Sequence, residues 1–127
     1  MNGQQMSIEQ ILENMRQKLG TDPLPMQLLV QLLPEGVREQ ARSSQFVEGL
    51  ETIPLKYKTL MYVAAAAAAG SELCTLTYAR RAMHSGATVQ EVTEALMVAR
   101  FVSASIVFAT AVPAMEFLVD QADQGAR

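Results

Sequence analysis

The chain has 127 residues, a formal net charge of −3 and a hydrophobic content of 50%. This length suits one domain with one core, and the absence of tryptophan predicts a core of aliphatic, alanine and methionine side chains. The basic residues are scattered and form no stripe, which argues against nucleic acid as a partner. A single cysteine excludes an intramolecular disulfide.

Nothing in the sequence predicts a membrane partner. The first ten residues lack a basic segment followed by an apolar stretch, so we expect no secretory signal. Two apolar segments, 60–70 and 101–115, are shorter than the roughly 18 residues that a membrane-spanning helix needs. The second segment also contains Ser103, Ser105 and Pro113. We therefore expect both segments to be buried helices of a cytoplasmic protein.

Helical periodicity runs along almost the whole chain, and it begins at a capping box formed by Ser7 and Gln10. The pattern predicts a first helix ending at Gly20, a short apolar helix stopped by Pro34, and a more polar helix over residues 35–49. We expect the inner side of this third helix to carry Val37, Ala41 and Phe46.

An alanine-rich helix is predicted next, from Pro54 to Ala69, and its last six residues are all alanine. Alanine is the best helix former, and its short side chain allows neighbouring helices to approach closely. The segment is therefore predicted to be the central helix of the core. Gly70 ends it, and Ser71 caps a following helix that ends near Gly86.

A second capping box, Thr88 and Glu91, begins a long helix that Pro113 kinks or restarts. Residues 120–127 are expected to fray. The buried stripe of the long helix is predicted to consist of Val92, Ala95, Leu96, Ala99, Val102 and Ile106.

Two segments carry a resemblance to a known family: IPLKYKTLMYVAAAAAAGSELC and, after a short spacing, SGATVQEVTEALMVAR. Over residues 54–95 the chain resembles the carboxymuconolactone decarboxylase and alkylhydroperoxidase D superfamily. The resemblance implies an all-α bundle of about six to seven helices that assembles into a homo-oligomer, a trimer or a hexamer. It also implies one domain over 1–127, with N-terminal helices in 1–33, the family core in 34–118 and a tail in 119–127.

The peroxidase branch of this superfamily has a Cys-x-x-Cys pair, a histidine four residues later, and a glutamate on the preceding helix. Aligned on the block at residues 86–88, these positions fall on Ser71, Cys74, Tyr78 and Thr59, so only the second cysteine is retained. Serine forms no disulfide, tyrosine is a poor base at neutral pH, and threonine relays no proton as a carboxylate does. We therefore do not expect the two-cysteine peroxidase cycle.

The decarboxylase branch lacks the cysteine pair as well, so its reaction does not require one. Its His-x-Arg pair corresponds here to Tyr78 and Arg80. A guanidinium group matches the two oxygens of a carboxylate, so Arg80 is a candidate to bind an anionic substrate.

The predicted helix places Ser71, Cys74 and Tyr78 on one face. At a helix N-terminus the backbone N–H groups favour a thiolate, so Cys74 is either a reactive thiol or an inert buried one beneath a serine cap. Tyr78 donates either to a ligand or to a buried carbonyl. His84 lies near a helix C-terminus and does not match the family histidine. One histidine and one cysteine do not make a usual zinc site, so no metal or cofactor is expected.

Two classes of function follow. The first is an enzyme that acts on a small organic molecule, such as a lactone or carboxylate, in an apolar pocket between the alanine-rich helix and the Cys74 helix. Its catalytic residues would be Cys74 and Tyr78, and its substrate-binding residues Thr59, Ser71 and Arg80. A single-cysteine peroxidase using an outside thiol is a variant of this class. The second is a non-catalytic oligomer that binds a ligand or acts as a scaffold.

Overall fold

The computed structural model describes residues 5–126, and within this range every regular element is a helix. The all-α prediction is therefore confirmed. In chain order the helices are α1 (Ile8–Leu19), α2 (Leu24–Leu32), α3 (Pro34–Gly49), α4 (Leu55–Ala68), α5 (Glu72–His84), α6 (Val89–Thr110) and α7 (Val112–Gly125).

The alanine-rich helix α4 lies at the centre and packs against both α5 and α6. Val63 of α4 is fully buried with Ala82 of α5 and Ala87, which precedes α6. Ala66 is buried on the same helix, so the methyl side chains allow the close approach that the sequence predicted. On the other side, α1 packs against α2, α3 and α5 and forms a second layer over the α4–α5 pair.

Local chemistry sets the helix ends. The Ser7 hydroxyl accepts a hydrogen bond from the Gln10 amide at 3.2 Å, and the Thr88 hydroxyl accepts one from the Glu91 amide at 3.1 Å. Both predicted capping boxes are therefore confirmed. Gly20 ends α1 with a φ of 71°, a left-handed conformation that glycine adopts without a steric penalty.

The expectation of a buried helix over 101–115 is wrong for the single chain. The second half of α6 has little packed against it, and α7 packs chiefly on α6. Phe101 and Phe108 are consequently 70% and 68% exposed, and Val102 and Ile106 of the predicted stripe are exposed as well. By length and composition α6 is long and apolar enough to cross a membrane, although the core helix of a soluble protein passes the same test.

Two smaller expectations also differ from the structure. On α3, Val37 is fully buried and Ala41 partly so, but Phe46 is 70% exposed because no neighbouring helix covers its side of α3. The C-terminal residues expected to fray continue α7 as regular helix up to Gly125, while residue 127 lies outside the described range.

Candidate functional site

A cavity of about 410 Å³ lies between the α1–α3 layer and the α4–α5 pair, and we refer to it as the site cavity. Its walls combine apolar side chains with a compact group of polar ones. The apolar residues include Ile11, Met15, Leu19, Met26 and Leu73. The residues that bear polar or ionisable side chains include Lys18, Asp22, Glu48, Tyr62, Cys74, Thr77, Tyr78 and Arg81.

Cys74 lies in the first turn of α5, and its thiol lines the site cavity. The side chain is exposed, so the alternative of a thiol buried beneath the cap does not describe this cysteine. Ser71 is the N-cap, and its hydroxyl accepts a hydrogen bond from the Cys74 backbone N–H at 3.2 Å. Ser71 therefore orients the turn that carries the thiol, but its own side chain does not line the cavity.

Tyr78 lies one helical turn after Cys74 and lines the same cavity. Its ring centroid is 5.1 Å from that of Tyr62 on α4, with an angle of 55° between the ring planes. Burial raises the pKa of Tyr78 above its ordinary value of 10.0, and the negative charges of an ionised Cys74 and of Glu48 raise it further. The Tyr78 phenol therefore stays protonated at neutral pH and is able to donate a hydrogen bond.

The pKa of Tyr62 is also raised by its surroundings. Burial is the main cause that raises its pKa, the Glu48 carboxylate adds to the effect, and the Arg81 guanidinium opposes it. The two tyrosines and the ion pair of Glu48 with Arg81 thus form one electrostatically connected group at the cavity wall.

The sequence analysis missed the ion pair between Glu48 on α3 and Arg81 on α5. The Arg81 Nη2 and Glu48 Oε1 atoms are 2.8 Å apart, and the two side chains are only 8% and 14% exposed. Helical spacing contained a signal for Arg81, because it follows Cys74 by seven residues and Tyr78 by three and so shares their face. Nothing local pointed to Glu48, since it comes from another helix.

The structure does not bring the other predicted ligand contacts to the cavity. Arg80 is exposed on a different side of α5, where its guanidinium donates to the Gly20 carbonyl at 3.4 Å. Thr59 is fully buried, and its hydroxyl donates to the Lys56 carbonyl at 2.7 Å. Neither residue lines the site cavity, so Cys74 and Tyr78 alone among the predicted site residues meet there.

The predicted absence of a metal site rested on there being one histidine. His84 lies in the last turn of α5, as the sequence predicts, and is exposed. Over residues 5–126 no group of three histidine, cysteine, aspartate or glutamate side chains is arranged to hold a metal ion. The polar groups at the cavity include the Cys74 thiol, the phenols of Tyr62 and Tyr78, and the ion pair of Glu48 with Arg81.

Residues 40–117 match the family described as carboxymuconolactone decarboxylase. The chain belongs to this family. The match covers more than half of the chain and includes Glu48, Tyr62, Cys74, Tyr78 and Arg81, which confirms the family predicted from residues 54–95. A comparison with curated proteins finds no significant match.

Helices α1 and α2 precede the matched region, although residues from both line the site cavity. One wall of the cavity in this carboxymuconolactone decarboxylase family member is thus built outside the matched family region. The chemistry carried by α5 and the shape of the opposite wall consequently come from different parts of the chain.

Proposed function

We propose that this protein binds a small organic molecule in the site cavity and acts on it with Cys74 and Tyr78. The observation that supports the proposal is that the Cys74 thiol and the Tyr78 phenol line one cavity, one helical turn apart on α5. The volume of about 410 Å³ lies within the roughly 300–1,000 Å³ that is usual for small-molecule sites.

A lactone suits these two groups. The Cys74 thiolate would form a bond to the lactone carbonyl carbon, and the electron pair of the carbonyl double bond would move to its oxygen. The Tyr78 hydroxyl would donate a hydrogen bond to the developing negative charge. As the carbonyl re-forms, the bond from the carbonyl carbon to the ring oxygen would break, and that oxygen would take a proton from solvent and leave as the hydroxyl group of the opened ring. Water would then hydrolyse the thioester to the carboxylic acid and release the Cys74 thiol. Ser71 would contribute indirectly, because its hydroxyl accepts a hydrogen bond from the Cys74 backbone N–H. Thr59 and Arg80 would not contact the ligand.

This reaction differs from that of the peroxidase branch. A two-cysteine cycle needs a second thiol to resolve a sulfenic acid, and the chain has one cysteine. We propose that Ser71, Cys74, Tyr78 and Thr59 are the changed remnant of the Cys-x-x-Cys site, in which only the thiol retains its chemistry.

The proposal is tested by screening small lactones, dihydrocoumarin among them, for turnover by the wild-type protein. We expect Cys74→Ser to abolish ring opening and Tyr78→Phe to slow it by roughly 10²-fold, as does the loss of one oxyanion donor. Ser85→Ala, at the far end of α5, serves as the control and should leave the rate unchanged. If neither cavity variant changes the rate, Cys74 and Tyr78 do not carry the reaction.

The exposure of Cys74 favours one alternative, a single-cysteine peroxidase. The thiolate would attack one peroxide oxygen, the O–O bond would break with release of an alcohol, and an outside thiol would reduce the resulting sulfenic acid. Treatment with cumene hydroperoxide in the presence of dimedone would then label Cys74. Absence of labelling would exclude this alternative.

The exposed apolar surface of α6 and α7 favours a second property, assembly into a homo-oligomer. Monomeric proteins rarely leave so many large apolar side chains uncovered along two consecutive helices. We propose that copies of the chain cover one another's α6 and α7 in a trimer or a hexamer. If the protein is not an enzyme, this assembly would be its main property. The cavity would then bind a ligand without changing it.

A further inference from the structure

The charges at the site cavity are balanced. Among the described residues that line it, Lys18 and Arg81 are basic and Asp22 and Glu48 are acidic. Arg81 is the cation that lies on the same face of α5 as Cys74 and Tyr78. A carboxylate ligand bound beside Cys74 and Tyr78 would meet Arg81 on the same helix, whereas Lys18 belongs to α1.

The Arg81 guanidinium already has an anionic partner within the protein. This guanidinium lies 2.8 Å from the Glu48 carboxylate, and the two side chains are 8% and 14% exposed. A ligand carboxylate that displaced Glu48 would leave the Glu48 charge unpaired in a poorly solvated place, which carries a large penalty. A ligand carboxylate that bound beside the intact pair would be repelled by Glu48.

The two phenols near this ion pair suit a neutral acceptor. Tyr62 and Tyr78 both line the cavity, and burial keeps their phenols protonated because it raises the pKa of each. Neither hydroxyl donates to a protein atom within residues 5–126. Both are therefore free to donate to a ligand oxygen, while Met15, Met26 and Leu73 offer apolar contact to the rest of the ligand.

We propose that the site cavity selects uncharged ligands with a carbonyl oxygen, such as lactones, esters and amides, and rejects carboxylates. Glu48 sets this selectivity because it neutralises Arg81 and places a negative charge beside the two phenols. The inference rests on the proposed function of the cavity as a ligand site. It narrows the two expected substrate classes, lactone and carboxylate, to the uncharged one.

The test uses matched probes that differ only in charge: benzamide and benzoate, cyclohexanecarboxamide and cyclohexanecarboxylate, 2-naphthamide and 2-naphthoate. Dissociation constants are measured by NMR titration at neutral pH, with protection of Cys74 from iodoacetamide as the report on location. We expect each amide that binds to do so about tenfold or more tightly than its carboxylate. In Glu48→Gln the freed Arg81 should reduce or invert this ratio.

Glu39→Gln is the matched control, because Glu39 lies on the same helix but is exposed and pairs with Arg42 away from the cavity. It should retain the wild-type ratio. Equal binding of amides and carboxylates by the wild-type protein overturns the inference and leaves the proposed function in place, as does an unchanged ratio in a folded Glu48→Gln variant. If no probe binds or protects Cys74, the proposed function fails and the inference fails with it.

Glu48→Gln leaves a buried guanidinium without an anionic partner, and this variant can fail to fold. The double variant Glu48→Leu with Arg81→Met then replaces it, since removing both charges avoids an unpaired one. We expect the double variant to keep the wild-type preference for amides. A rise in the amide-to-carboxylate ratio would show that Arg81 attracts carboxylates in the wild-type protein, which would overturn the inference.

Discussion

At the scale of single residues, Tyr78 stands where the peroxidase branch has a histidine, and its environment determines what it can do there. A histidine exchanges protons near neutral pH, whereas burial beside Tyr62 moves the pKa of the Tyr78 phenol further from neutrality. The site therefore retains a hydrogen-bond donor at this position but no base. This is the physical reason that we assign Tyr78 to stabilising an oxygen and not to activating the thiol.

The raised pKa values of the two phenols predict that they ionise late in a pH titration followed by absorbance. Tyr62 and Tyr78 should ionise above the ordinary value of 10.0, and stability that depends on their protonated forms should be complete below pH 10.0 and fall as the pH rises through the folded-state pKa values. Tyrosinate absorbance measured against pH in the folded protein reports this. Tyr62→Phe and Tyr78→Phe should each remove part of the late-ionising signal, while the exposed Tyr57, changed to Phe, serves as the control. Ionisation midpoints of Tyr62 and Tyr78 at or below pH 10.0 would contradict the prediction.

Ser71 provides a second prediction at this scale. Because its hydroxyl accepts from the Cys74 N–H, Ser71→Ala should lower the free energy of unfolding by about 1 kcal/mol, the usual effect of losing an N-cap. Ser71→Asp retains a capping oxygen and should retain stability. Urea denaturation measures both variants. If Ser71→Ala weakened ligand binding but not stability, Ser71 would be a ligand contact after all.

At the scale of elements, the end of α3 is held in place by Lys58 of α4. The buried Lys58 ammonium donates to the carbonyl of Val47, in the last turn of α3, and to that of Leu50, just after the helix. The Val47 carbonyl also accepts from the Leu50 backbone N–H at 3.4 Å. Glu48 lies between these two residues, so the same contact positions the carboxylate that pairs with Arg81. A lysine that reads as an isolated charge in the sequence thereby supports the cavity wall.

Removing this contact should cost stability. Lys58→Met removes both hydrogen bonds and takes away the donor to the Leu50 carbonyl, and we expect the free energy of unfolding to fall by about 1–3 kcal/mol. Arg42→Met is the control, since Arg42 forms an exposed ion pair with Glu39 on the same helix, and such pairs contribute about 0–1 kcal/mol. Equal losses in the two variants would show that Lys58 has no special role at the end of α3.

The contact between α4 and α6 adds a pH-dependent element. Lys56 and Glu91 lie 2.7 Å apart, and the hydrogen bond from Lys56 is the main cause that lowers the pKa of Glu91, followed by the backbone hydrogen bond from Thr88. Because the folded-state pKa is depressed, the stabilisation is present above the ordinary value of 4.5 and is lost as the pH falls through the lower folded-state value.

Glu91→Gln separates the two contributions, because glutamine still completes the capping box but forms no ion pair with Lys56. We expect the free energy of unfolding of this variant to vary less with pH below 4.5 than that of the wild-type protein. Urea denaturation at a series of acidic pH values measures the difference. Identical pH profiles would mean that the ion pair contributes no stability in solution.

At the scale of the whole molecule, the exposed apolar residues of α6 and α7 predict association. Phe108→Glu places a charge in the proposed interface and should convert the oligomer to a smaller species, as measured by light scattering coupled to size-exclusion chromatography. Phe46→Glu is a matched control, since Phe46 is 70% exposed and Phe108 is 68% exposed, but Phe46 lies on α3. A monomeric wild-type protein would contradict the proposal.

The sequence by itself determined the parts of this protein that depend on neighbouring residues. The two capping boxes, the left-handed Gly20 and the order of the helices were all predictable because caps and turns are decided within about one helical turn. The family was also predictable, since residues 54–95 carry its motif as a continuous pattern. The meeting of Cys74 and Tyr78 followed from their spacing on one helix.

Only the tertiary structure decided which other groups face the cavity and which apolar surfaces are covered. Glu48 reaches Arg81 because α3 packs beside α5, and no local pattern encodes a contact between distant helices. Thr59 lies in the core and not at the cavity because the side of α4 that is buried depends on how α5 and α6 pack around it. Whether the apolar stripe of α6 is covered depends on its neighbours, and a single chain buries Ala99 but leaves Val102 and Ile106 exposed.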